Sequence, residues 1–272
     1  MQGYLKKHVF VPQDHGSWVF ILSPLLIGIC AGKTITLPTL WLLLTAMAAF
    51  LIRQPITVIT KILAGRRSIE DLPAARFWVV TYGSLAALGL ISLIYEGFSY
   101  ILILAIPGVP VFLWHLWLVG RRAERQQAGV EVIATGVLSL TAPAAYWMGV
   151  GEYSPIGWWL WCLSWLQSSA SIVYAYLRLE QRGLNKRPSL TERYTLGRRA
   201  LVYTSFNLIF TMVLSGFGFI PPLTFIPFLL QWVETLWGIT HPAAGWKPTR
   251  IGIRQLIVST MWTLLFILAW QG

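Results

Sequence analysis

Charged residues are scarce in this chain, at 11% of 272 residues, where a soluble domain carries about 25%. That scarcity excludes an ordinary soluble fold. Acidic residues are fewest: ten Asp and Glu stand against 21 Lys and Arg, a net charge of +11. There are two cysteines, Cys30 and Cys162, both inside apolar runs and far from any CxxC spacing. They read as packing residues, not as a disulfide or a metal site. Four scattered histidines show no HxxxH spacing, which argues against a zinc centre. No small-residue cleavage site follows the first apolar run, so it reads as a span and not as a removable leader.

What the chain does have is apolar length. It is 56% hydrophobic with 15 Trp, a composition that fits an integral membrane protein with aromatic belts at the interfaces. A spanning helix needs about 20 apolar residues. Nine segments qualify, at 16–32, 38–61, 76–95, 98–119, 129–149, 156–178, 200–220, 221–239 and 252–270. The basic residues then partition cleanly. Lys6, Lys7, Arg66, Arg67, Arg76, Arg121, Arg122, Arg125, the cluster from Arg182 to Arg199, and Lys247, Arg250 and Arg254 fall on one side, and only Lys33 on the other. The positive-inside rule puts the N-terminus in the cytoplasm and the C-terminus outside. The positive charge is therefore topological, with anionic lipid headgroups as partners of the basic loops and no nucleic acid. The expected location is a bacterial inner membrane, or a thylakoid.

Two polar stripes interrupt the apolar pattern. Arg53, Thr57 and Lys61 lie at i, i+4 and i+8, and Gln167, Ser171, Tyr174 and Arg178 at i, i+4, i+7 and i+11, so each set shares one helix face. An intramembrane charge is costly and marks a cavity or a partner. Gln54, His115, Gln231 and Glu234 fall at similar depth, and Asp14 and His15 enter from the start of the first segment. Together these residues predict a basic pocket open to the cytoplasm, with Arg53, Lys61 and Arg178 converging on it and Arg53 sharing it with Glu234. Glu70, Asp71 and Glu180 read as solvated charges in or near loops. Gly16 and Gly129, and Gln54 and Gln167, are separated by one shared interval. That suggests parallel repeats over 16–119 and 129–239 within a single membrane domain, with 252–270 as a ninth helix.

Nine spans in a 4+4+1 arrangement, polar stripes on the second and sixth helices, and the Pro12, Gly16, Pro24 and Gly28 pattern resemble the UbiA superfamily of intramembrane prenyltransferases. The QDHGSW opening and the RQP stretch more closely resemble the YwiC-like family of multispanning bacterial proteins, over most of the chain. The UbiA resemblance implies an isoprenoid substrate and, if the protein is an enzyme, a prenyltransferase-like activity. That family holds Mg²⁺ on Asp-rich motifs, and Mg²⁺ requires oxygen ligands. Cations occupy that register in this chain, so no Mg²⁺ site is expected. The first reading is a protein that binds or processes an anionic amphiphile of the isoprenoid or lipid phosphate class. A non-catalytic assembly factor, or one handling pigment or quinone, comes second. A transporter comes last, because the outer halves of the segments are apolar.

Overall fold

A computed structural model describes residues 4–12, 15–123, 127–184 and 188–272, and of His15 the backbone alone. Among these residues the regular structure is entirely helical: α1 (Lys7–Phe10), α2 (His15–Gly32), α3 (Leu37–Leu63), α4 (Leu72–Tyr95), α5 (Ala105–Gly120), α6 (Ala128–Leu138), α7 (Thr141–Val150), α8 (Ile156–Arg182), α9 (Leu190–Gly216), α10 (Phe225–Thr240) and α11 (Pro248–Gln271). Helices are the expected solution, because in lipid each backbone N–H and C=O must be satisfied within the chain.

The nine apolar stretches are all helical, the fifth as two pieces. Among the described residues, five stretches are long and apolar enough to cross a membrane by themselves: Leu37–Leu63, Ile69–Tyr95, Ser99–Gly120, Ala128–Val150 and Pro248–Gln271. The rest fall short for local reasons. The apolar part of α2 is confined to Gly16–Gly32, α10 has 16 residues, and α8 and α9 carry runs such as QSS and TERYT. Large apolar side chains face outward along α4 and α5, among them Val80, Ile91, Ile106 and Leu113. Such a surface suits lipid and not water. The protein is an all-α, multi-pass integral membrane protein.

Proline explains the break inside the fifth stretch. Pro143 has no N–H to give the carbonyl of Ser139, and its ring crowds that carbonyl. The ladder therefore stops at Leu138 and restarts at Thr141. The broken helix is held by α2. A Cβ on Gly28 would lie 2.2 Å from the Ala142 carbonyl oxygen, and one on Gly32 would lie 2.9 Å from Gly149 Cα. Gly28 and Gly32 form a GxxxG step, the spacing that lets two helix backbones approach without lipid between them. Elsewhere α3 lies on α4, α9 on α10, and α11 against α10, α2 and α8. The core sits where α2, α7, α8, α10 and α11 meet, around Trp147, Leu160, Phe228, Trp262 and Phe266.

Two helix starts are capped by side chains. The amide of Ser189 donates to Glu192 Oε2 (2.7 Å) and the amide of Glu192 to Ser189 Oγ (3.4 Å), a reciprocal capping box. Thr36 begins α3 in a related way, its amide donating to Thr39 Oγ1 (3.2 Å).

Candidate functional site

The polar stripe of α8 does meet polar residues of α10. Gln231 Nε2 donates to the Gln167 carbonyl (3.0 Å) and to Ser171 Oγ (3.1 Å), while Gln167 Nε2 donates to the same hydroxyl (3.0 Å). Tyr174 OH donates to Glu234 Oε1 (2.9 Å). The ring gets that close because Gly238 is bare: a Cβ there would lie 2.2 Å from the phenol oxygen.

The cation facing Glu234 is Arg254 on α11. Its Nε donates to Oε1 (2.6 Å) and its Nη2 to Oε2 (2.7 Å), the two-point fork that planar guanidinium and carboxylate groups favour. The guanidinium also lies 3.6 Å from the ring centre of Trp237, a cation–π contact. The direct partner of Glu234 is thus Arg254 where Arg53 was expected to share its pocket, and both carboxylate oxygens are engaged by α11 and α8. Arg254 reads in the sequence as one of the basic residues at the start of the last helix, 252–270. That helix begins at Pro248, however, so Arg254 is already in its second turn.

Arg178, the last member of the α8 stripe, is also placed differently from expectation. It is 1% exposed, and its Nη1 donates to the Gly238 carbonyl (2.7 Å), the His241 carbonyl (2.8 Å) and Gln181 Oε1 (2.8 Å). These carbonyls end α10, where a helix leaves acceptors unsatisfied and concentrates negative potential. Trp246 and Trp237 cover the guanidinium, at 4.9 and 5.4 Å from their ring centres. Arg178 is thus a helix-end clamp.

The remaining site candidates lie on other elements. Arg53 Nη2 donates to Ser17 Oγ (3.4 Å), and its guanidinium sits 5.4 Å from the Phe50 ring centre. Gln54 Nε2 donates to the His8 carbonyl (2.9 Å). Lys61 and His115 are half-buried on α3 and α5. Asp14 and the side chain of His15 lie outside the described residues. Gln54 belongs to a second cluster built around Asp71, which receives Lys6 Nζ (2.8 Å) and Arg67 Nε (2.8 Å) and lies 3.3 Å from His8 Nε2. Asp71 is 8% exposed, so it is no solvated loop acid. It holds the N-terminal segment, helped by Tyr82 OH donating to the Phe10 carbonyl (3.1 Å) and Trp78 Nε1 to the Tyr4 carbonyl (2.8 Å).

Among α8, α10 and α11 lies a cavity of about 20 Å³, lined by Gln167, Ser171, Tyr174, Gln231, Glu234 and, from α11, Gln255, Ser259 and Trp262. A water needs roughly 10–15 Å³, so the cavity holds about one. Neither Arg53, Lys61 nor Arg178 lines it. The expected convergence of those three cations is not found at this cavity; the cation bonded to its lining is Arg254, through Glu234. The larger opening is a groove of about 600 Å³ between α8 and α9, near the start of α6. Val173, Leu177, Leu196 and Ala200 form its apolar wall, and Glu180 and Arg199 are its exposed charges.

The model of the YwiC-like protein family matches residues 11–146. That range includes α2, Arg53, Gln54, Arg67 and Asp71, while Lys6 and His8 precede it and the Glu234 cluster lies beyond it. A protein of Bacillus subtilis (strain 168) described as "Uncharacterized protein YwiC" is 25% identical over 179 residues, covering 63% of this chain and 68% of that protein. No solved structure matches. With half of its length matched by the family model, the chain belongs to the YwiC-like family.

Proposed function

We propose that this membrane protein holds a phosphate-headed amphiphile in the groove between α8 and α9, at the cytoplasmic face. One observation carries the reading. The groove, at about 600 Å³, falls within the roughly 300–1,000 Å³ of ordinary ligand sites, and it joins an apolar wall to a charged rim. Val173, Leu177 and Ala200 would take an acyl or isoprenoid tail. Arg199 would take the phosphate, to which a guanidinium is well suited. Glu180 also lines the groove, and no ion pair joins it to Arg199, so it favours a head that carries an ammonium group as well. The basic loops at this end support a cytoplasmic position by the positive-inside rule.

Native mass spectrometry of the detergent-purified protein tests the reading, with phosphatidylethanolamine, phosphatidylglycerol and farnesyl phosphate as separate probes. One bound amphiphile is expected. Arg199→Ala should weaken it about tenfold or more, since hydrogen bonds to charged groups contribute roughly 1.5–3 kcal/mol. Leu177→Trp should fill the groove and abolish binding. Retention of the same affinity in both variants would overturn the proposal. The three probes separate an acyl from an isoprenoid tail and a zwitterionic from an anionic head.

A second reading is a non-catalytic assembly factor. It is favoured by the Glu234–Arg254 and Arg178 contacts, in which buried charges hold the protein's own helices together. Recovery of a stable complex from mild detergent supports it, and recovery of the lone protein counts against it.

A further inference from the structure

Two of the residues that line the cavity among α8, α10 and α11 each carry a buried polar atom with no hydrogen-bond partner. One is the acceptor Gln231 Oε1 and the other the donor Trp262 Nε1. Both residues are deeply buried, at 6% and 1% exposure. A buried unpaired polar group is costly, and two belong to residues that line this one small cavity. Neither side chain has an easy escape. Gln231 is fixed by the two bonds of its amide nitrogen to α8. The Trp262 ring is gripped edge-to-face by Phe228 (5.2 Å) and stacked on Phe266 (4.9 Å).

The chemistry of the pair selects the occupant. An anion would suit the indole N–H but would face the Gln231 carbonyl oxygen. A cation would suit that oxygen but would face the N–H. A neutral molecule that both accepts and donates satisfies both. The volume of about 20 Å³ admits one such molecule of the smallest size, because a water needs roughly 10–15 Å³ and two to four polar partners. Ser259 and Gln255 from the same wall supply further partners.

We propose that this cavity is a binding site for a single water molecule, which accepts from Trp262 Nε1–H and donates to Gln231 Oε1. The water joins α11 to α10 about two turns along α11, and about one turn along α10, from the Arg254–Glu234 pair. The last helix is then fastened to the bundle at two depths, by an ion pair and by a solvent bridge. Its site is distinct from the lipid groove, and it stands or falls independently of what that groove binds.

The test uses the full chain in lipid nanodiscs with 15N-labelled tryptophan indoles. The Trp262 resonance is assigned by its loss in Trp262→Phe. Magnetisation transfer from water is then compared with Trp147, equally buried but bonded directly to the Ser154 carbonyl. Transfer to Trp262 is expected to exceed that to Trp147 several-fold. It should collapse in Gln231→Leu, which removes the acceptor, and in Ser259→Val, which fills the cavity without touching either orphan atom. No transfer at Trp262 in the wild-type protein would overturn the proposal. So would undiminished transfer in folded Ser259→Val, which keeps the test decisive if Gln231→Leu does not fold.

Discussion

Removing Arg254 should harm the protein more than removing Glu234, although the two form one pair. The side chain of Glu234 is 10% exposed and that of Arg254 is 36% exposed. In Arg254→Met the carboxylate stays buried with Tyr174 as its remaining partner. Leaving one member of a buried pair alone costs about 3–5 kcal/mol. In Glu234→Gln the arginine keeps its contact with Trp237 and a path to the membrane surface, so the cost falls to about 1–2 kcal/mol, between the values for exposed pairs and for charged hydrogen bonds. At roughly 2–4 °C per kcal/mol for chains of about this size, Arg254→Met should lower Tm by roughly 6–20 °C and Glu234→Gln by roughly 2–8 °C. The double variant should recover part of the Arg254→Met loss. Thermal unfolding in detergent, followed as a double-mutant cycle, measures the coupling. Equal losses at the two positions, or strict additivity, would refute the reasoning. Arg53→Gln combined with Glu234→Gln should be additive, because no contact joins them.

Three further outcomes follow from contacts already described. Gly28→Leu drives a side chain into the Ala142 carbonyl and should abolish a monodisperse peak in fluorescence-detected gel filtration, whereas Gly16→Ala, where a Cβ meets nothing closer than 4.0 Å, should be silent. Asp71→Asn should loosen the N-terminal segment and speed limited proteolysis within residues 4–12. Gln54→Leu should do so more weakly, and unchanged cleavage in both variants would disprove the tether. Arg178→Met removes the donor to the His241 carbonyl while Gln181 Nε2 still reaches Gly238 (3.1 Å). A loss of about 1–3 kcal/mol is expected for that one carbonyl, read as earlier hydrogen exchange at the end of α10.

The helical class and the segment positions were legible because apolar length is a one-dimensional property. The α8 stripe was legible for a related reason. Gln167, Ser171 and Tyr174 share a face by helical periodicity, and that face does meet Gln231 and Glu234. The partner of Glu234 was not legible. Arg53 and Arg254 are equivalent as letters, and the choice between them depends on which helix lies beside α10. A start at Pro248 instead of residue 252 moves Arg254 from the first turn of the last helix into its second. Arg178 carried a further ambiguity, since a buried arginine near a helix end serves a ligand and a neighbouring helix terminus equally well. Pro143 did carry the signal for the break between α6 and α7, through the carbonyl of Ser139 that it cannot serve.

The tight joint between α2 and α7 has a consequence for biogenesis. Thr34, just past α2, hydroxyl-bonds the Gly149 carbonyl at the far end of α7, 115 residues later in the chain. Translation proceeds at about 5–20 residues per second, so α2 leaves the ribosome roughly 6–23 s before its partner exists. During that interval the notch formed by Gly28 and Gly32 borders lipid or the insertion machinery. Mutations that fill this notch should therefore act while the protein is being made, lowering its yield more than they lower the stability of the copies that mature.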